Sequence, residues 1–337
     1  MVNGNAKWDG SAMRKGLKSY CLILAIVLVI ATGILVGVSK LSIYITDCAN
    51  KKYMPLYLEG EKGYSSPWYT NGLHIVDEGF IDELSDIKAN KNNVISIGSS
   101  MSRISFRDEE AKLPDSYRYE FLVCGNGCHR SDRIFVNILE NENLLNKENI
   151  IKYEISFSTF RQTDMTIAES SIEKWGAYKV NEDLSVAANS TLKLPIYELN
   201  KLLLKIQNVG ELYLTENNFC NNYFNYDAVA KSCYMDEDMC KSVEKDICRI
   251  AQESNCVVEI SPFPNGLAVT DYGKELQNYI DNELIPTLND KGIPYFDYRN
   301  DYQDNEFADG VHLSYNASVE YTNRLNEDLA KIIEEIN

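Results

Sequence analysis

Apolar and polar positions divide the chain into parts of different character. From Ser19 to Ser39, 21 consecutive residues are uncharged and dominated by Leu, Ile, Val and Ala. As a helix rising about 1.5 Å per residue they span about 30 Å, the thickness of a bilayer core. Residues 40–92 are mixed, with aromatic, Gly and Ser content from Tyr64 to Trp68, and read as a stalk plus an entry segment. Beyond them short apolar runs alternate with helical periods. Strands are expected at Val94 to Ile97, Tyr119 to Val123, Ile150 to Phe157, Cys256 to Ile260 and Ile293 to Asp297. Ile134, Phe135, Ile138 and Leu139 recur at helical spacing, and Tyr272 to Leu288 suits a helix broken or bent near Pro286. Leu325, Leu329, Ile332 and Ile336 form one face of a closing helix.

Strands alternating with helices predict an α/β fold, a three-layer doubly wound parallel sheet with both faces covered. One connection is too long for a single crossover. Residues 158–255 separate the third strand from the fourth and hold the apolar helix candidate Leu192 to Leu204. They form an insertion, read as a lid or an inserted subdomain over the carboxyl end of the sheet, or else as a peripheral decoration. The expected organisation is a tail (1–18), a transmembrane helix (19–39), the stalk (40–92) and the α/β domain (93–337) with its insertion at about 158–255.

Charge gives the apolar stretch a direction. Residues 1–18 carry Lys7, Arg14, Lys15 and Lys18 against Asp9, a net of +3, so the positive-inside rule places the N-terminus in the cytoplasm. The chain total is −17, which leaves −20 for the remainder, expected on the outer face of the cell membrane. A chain this acidic is a poor partner for nucleic acid, whose binding rests on phosphate neutralisation. Of nine cysteines, eight lie beyond the apolar stretch, an even number compatible with disulfides in an exported domain. The group Cys220, Cys233, Cys240, Cys248 and Cys256 is local enough to staple one subregion. A zinc site is the rival use, but the sequence has no CxxC and no histidine near that group. Walker, Rossmann and HExxH patterns are absent, so no cofactor or metal is expected.

Only three histidines occur, His74, His129 and His312. Gly98-Ser99-Ser100 follows the first expected strand, and a serine there either caps the next helix or points its hydroxyl into the crevice, beside backbone N–H groups able to bind an oxyanion. Asp309-Gly-Val-His312 lies ahead of the final helix. A nucleophilic serine needs a base, and the histidine needs an acceptor to hold its tautomer; an aspartate three residues earlier supplies one if Gly310 lets the loop bend back. The bland alternative is a polar turn with Ser314 or Asn316 as cap. His129 reads as a substrate contact or as a polar residue opening a helix.

Together the two ends resemble the SGNH (GDSL-type) hydrolases. The similarity also covers Val257 to Pro264 and Gly292 to Tyr298. It implies Ser100 as nucleophile, His312 as base and Asp309 as its orienter. This chain departs from the family pattern in two places: Ser99 stands where an Asp usually precedes the nucleophile, and the third strand leads into Ser156-Phe157-Ser158-Thr159, without the usual asparagine. The oxyanion hole would draw on Gly125 or Gly127, with Asn126 or Ser158 substituting. The Gly-Ser-Ser variant with a single N-terminal anchor is similar to the teichoic-acid D-alanylation proteins of the dlt system and related envelope acyl-transfer proteins. The resemblance implies a membrane-anchored serine esterase or O-acyltransferase acting on acyl esters of an envelope glycan or teichoic-acid-like polymer. The departures keep a second reading open, a catalytically inactive SGNH fold used for binding or assembly in the envelope.

Overall fold

The computed structural model describes residues 20–34, 36–37, 40–41, 80–107, 110–114, 116–124, 128–161, 178–188, 225–307 and 310–336. Among these residues five parallel strands form one sheet: β1 (Asn93–Ser99), β2 (Arg118–Cys124), β3 (Ile150–Ile155), β6 (Asn255–Ile260) and β7 (Tyr295–Asp297), in the order β2-β1-β3-β6-β7. A separate antiparallel hairpin pairs β4 (Tyr178–Val180) with β5 (Val186–Ala188). β1 and β3 are buried along their whole length, as strands covered on both faces must be. β7 is shorter than its apolar run suggests, because Pro294 has no N–H to give to a ladder and serves only as acceptor for the Val258 N–H, at 3.0 Å.

The two faces carry different helices. Ile95, Ile97, Ile151, Tyr153, Ile155, Val258 and Ile260 pack against α1 (Phe80–Ala89), α3 (His129–Asn141), α5 (Glu237–Glu253), α7 (Asp271–Tyr279) and α8 (Ile285–Lys291). Val94, Ile150, Val257 and Phe296 face the long closing helix α9 (Tyr315–Ile336). The inward face of α9 runs Tyr321, Leu325, Leu329, Ile333; Ile336, expected on that face, is exposed. Pro286 perturbs its helix from a distance. α7 (Asp271–Tyr279) passes through a π-helical stretch, Ile280–Leu284, into α8 (Ile285–Lys291), where Pro286 lies in the first turn. Widening that turn accommodates a residue with no N–H and a ring that would meet the carbonyl four residues back.

Three sequence expectations change. α1 lies in the segment read as stalk, yet it buries Leu84 and Ile87 against the sheet, so the folded body extends ahead of residue 93. The stretch 237–253, assigned to the insertion by length alone, is the crossover helix from β3 to β6, with Val243, Ile247 and Ile250 in the core. Among the described residues the disulfide staple is not formed: Cys233, Cys240, Cys248 and Cys256 carry free thiols, and Cys220 lies outside the described residues. Cys240 and Cys248 sit on one helix about 12 Å apart along its axis, beyond disulfide reach, and Cys240 and Cys256 pack as small apolar residues.

Among the described residues no helix is long and apolar enough to cross a membrane, so the transmembrane helix expected over 19–39 is not found there. Within that stretch residues 20–34 and 36–37 are helical. Its Leu22, Ile23, Val27 and Val29 are exposed. The helix candidate Leu192 to Leu204 lies outside the described residues.

Candidate functional site

Chain progression reverses between β1 and β3: the chain leaves β1 for β2 on one side, then returns to β3 on the other. Connections that diverge in this way open a crevice at the carboxyl ends of the strands. β1 ends there at Ser99, and α2 (Ser100–Ile104) begins at once.

The two adjacent serines divide the roles that sequence left as alternatives. Ser99 is the helix cap; its backbone is extended (φ −107°, ψ −178°) and its Oγ accepts a hydrogen bond from the Met101 N–H at 3.3 Å. Ser100, first residue of α2, has a backbone N–H with no acceptor inside the helix. Its Oγ lies 3.0 Å from Nε2 of His312, across 212 positions of sequence.

His312 is 8% exposed and sits on a loop tied at several points. Phe307 and Leu313 form an antiparallel bridge, and the Ser314 N–H donates to the Glu306 carbonyl at 2.7 Å. Gly310 takes φ +88°, a left-handed conformation that glycine adopts freely, and so allows the bend ahead of His312. The insertion reaches this loop as well. On α4 (Tyr226–Lys231) the Tyr226 hydroxyl donates to the Gly310 carbonyl at 3.0 Å. Gly266, on the short helix α6 (Asn265–Ala268), makes room for that ring, since a Cβ there would lie 2.3 Å from Tyr226 Cε2. Downstream, the Tyr234 N–H donates to the Phe160 carbonyl at 3.0 Å and Cys233 bridges Arg161. The described end of the insertion therefore contacts both the His312 loop and the turn after β3.

Of the other expected residues, Ser158 is buried in that turn, with its Oγ 3.1 Å from Ser156 Oγ. Asp309, Gly125, Asn126 and Gly127 lie outside the described residues; Cys124, which precedes Gly125, pairs with Ser99 in the sheet register. His129 opens α3, and its N–H donates to the Thr159 carbonyl at 2.8 Å. Burial, with Arg133 and Arg130 nearby, pushes its imidazole down to about 4, so it is neutral at neutral pH. His74 lies outside the described residues. Among the described residues no group of three His, Cys, Asp or Glu side chains is placed to hold a metal ion.

Sequence reasoning missed a polar seam on the α9 face of the sheet. Lys152, Glu154 and Glu259 are all buried inside strands. Lys152 pairs with Glu259 and donates to Ser102 Oγ at 3.0 Å, and Ser102 Oγ lies 2.8 Å from Ser96 Oγ. The Tyr321 hydroxyl of α9 donates to Glu259. Glu154 accepts from the Ser99 N–H and, at 2.7 Å, from the Ser261 hydroxyl. The available signal was a Lys and two Glu inside Ile150-Ile-Lys-Tyr-Glu-Ile155 and Asn255-Cys-Val-Val-Glu-Ile260, strands otherwise apolar enough to be covered on both faces.

No protein-family model matches the chain, and no curated protein matches it.

Proposed function

We propose that the protein is a serine ester hydrolase or O-acyltransferase of the SGNH type, with Ser100 as nucleophile, His312 as general base and Asp309 as the acceptor for the imidazole Nδ1–H. The 3.0 Å approach of Ser100 Oγ to His312 Nε2, at the strand end where the sheet order reverses, carries this reading. Ser100 Oγ attacks the ester carbonyl carbon while its proton passes to His312 Nε2. The tetrahedral oxyanion is held by the Ser100 N–H, a Gly125 or Gly127 N–H, and Asn126 or Ser158. Its collapse breaks the bond to the alkoxide, which leaves with the proton from Nε2. Water, or the hydroxyl of an acceptor, then attacks the acyl-serine and gives its proton to Nε2; collapse of this second tetrahedral intermediate breaks the acyl bond to Ser100 Oγ, which takes the proton back from Nε2 as the acid or the new ester leaves.

The apolar stretch 19–39 and its basic flank support an anchored protein with the acidic body on the outer face of the cell membrane, so its substrates are acyl esters on an envelope glycan or teichoic-acid-like polymer. Ser100→Ala in the full-length chain is expected to lower kcat/KM for p-nitrophenyl acetate by about 10³-fold or more. A variant that hydrolyses the ester as fast as the parent, with a normal thermal transition, would overturn the catalytic reading in favour of a non-catalytic envelope binding module.

A further inference from the structure

Lys152, Glu154 and Glu259, each 1% exposed or less, lie behind the nucleophile and take no part in the acyl-transfer steps. Two carboxylates and one ammonium in a core are not explained by stability, because apolar residues of similar volume serve that purpose at least as well. What distinguishes Glu154 is its partner. One carboxylate oxygen accepts the backbone N–H of Ser99, the residue immediately before the nucleophile, and the other accepts the Ser261 hydroxyl at 2.7 Å.

The close approach is built into the sheet. Pairing of Ile97 with Tyr153 sets Gly98 of β1 beside Glu154 of β3. A Cβ on Gly98 would lie 2.3 Å from Glu154 Oε2 and 2.5 Å from Glu154 Cβ, so any other residue there would collide with the carboxylate. Ser99 is thereby fixed at two points: its N–H by Glu154, and its hydroxyl by the Met101 N–H. Ser100 follows directly, with its Oγ within the narrow distance window that proton transfer to His312 requires.

We propose that Glu154 is a positioning residue for the nucleophile, its buried carboxylate gripping the Ser99 peptide and so fixing the turn from which Ser100 faces His312. The proposal rests on the reading of Ser100 as nucleophile. Lys152 and the Glu259–Tyr321 pair hold the surroundings of that carboxylate in place. Burial and the Glu259 charge raise the Glu154 pKa, against the Lys152 ammonium and the bonds from Ser261 and Ser99. Glutamine, neutral and of the same shape, is therefore the conservative replacement: its oxygen keeps the Ser99 bond and its amide nitrogen can donate to Ser261.

The test is the rate at which a fluorophosphonate acylates Ser100 in full-length wild type, Glu154→Met, Glu154→Gln and Ser261→Ala, followed with the kcat and KM for p-nitrophenyl acetate. Displacement of a reacting atom by about 1 Å costs up to about 100-fold. Glu154→Met is expected to slow labelling and kcat at least about tenfold with KM changed less than about twofold. Glu154→Gln should restore the rate to within about threefold of wild type, and Ser261→Ala, which frees one carboxylate oxygen, should slow it about threefold. Labelling of Glu154→Met at the wild-type rate, equal slowing of the Met and Gln variants, or a change confined to KM would overturn the proposal. If Glu154→Met does not fold, an unchanged rate in Ser261→Ala overturns it. Wild type that remains unlabelled at Ser100 refutes the nucleophile reading itself, which separates the two failures.

Discussion

Ser100 and His312 are held 3.0 Å apart by opposite ends of the folded chain, one at the start of the short helix after β1, the other on the loop that precedes the closing helix. Neither is placed by its own neighbours alone. Ser100 depends on the Ser99 cap and on Glu154 from β3, while His312 depends on the Phe307–Leu313 bridge and on Tyr226 from the insertion.

The adjacent serines should separate cleanly. His312→Gln removes the base and is expected to lower kcat by about 10²–10⁴-fold with little change in thermal transition. Ser99→Ala removes a cap worth about 1 kcal/mol and one of the two anchors of the Ser100 turn, so it is expected to lower kcat only severalfold. Ester hydrolysis measured beside thermal unfolding for both variants checks this; equal kinetic losses would contradict the division of roles.

Tyr226→Phe deletes one hydroxyl and its bond to the Gly310 carbonyl. A lost hydrogen bond of this kind costs about 1 kcal/mol, and loosening of the His312 loop should lower kcat severalfold while KM stays nearly constant. Gly266→Ala pushes the Tyr226 ring off its seat and is expected to lower kcat at least as much. Steady-state kinetics of the two variants reads the effect.

Much of the framework was legible because buried parallel strands are written as uninterrupted apolar runs, as in Val94 to Ile97 and Cys256 to Ile260. The Ser100–His312 pair was legible because histidine is scarce and one serine stood at the right strand end. Other features were hidden for physical reasons. Phe80, Ile81, Leu84 and Ile87 recur at helical spacing in α1, but over fewer than three turns set in a mixed segment, which is too short a period to separate a docked helix from a stalk. Thiol pairing depends on separation in space, and the nearness of Cys240 to Cys248 in sequence becomes a fixed distance once both lie on α5. Lys152, Glu154 and Glu259 looked like breaks in apolar strands because their partners come from other elements. Tyr226 gave no sign, since its partner Gly310 lies 84 positions away.

The seam makes a stability prediction of its own. Lys152→Met leaves Glu259 buried without its cation and should cost about 3–5 kcal/mol. The double variant Lys152→Met with Glu259→Met should recover most of that loss. Urea unfolding of the single and double variants tests the pairing; an additive second loss would contradict it.

His129 gives the fold an acid sensitivity. Its folded-state pKa, about 4, lies below the usual 6.5 of an unperturbed histidine, so the unfolded chain binds the proton more readily. The stabilisation is therefore complete above pH 6.5 and drains away as pH falls towards 4, by at most about 3 kcal/mol. His129→Asn should flatten the stability profile between those values, as read by denaturant midpoints across that pH range.

The most direct test of the central claim is peptide mass spectrometry of the full-length protein after reaction with a fluorophosphonate. A single phosphonyl adduct on Ser100, absent from His312→Gln under the same exposure, is the predicted result. An unmodified Ser100 in a protein with a normal thermal transition, or labelling that is unchanged when His312 is replaced, would contradict it.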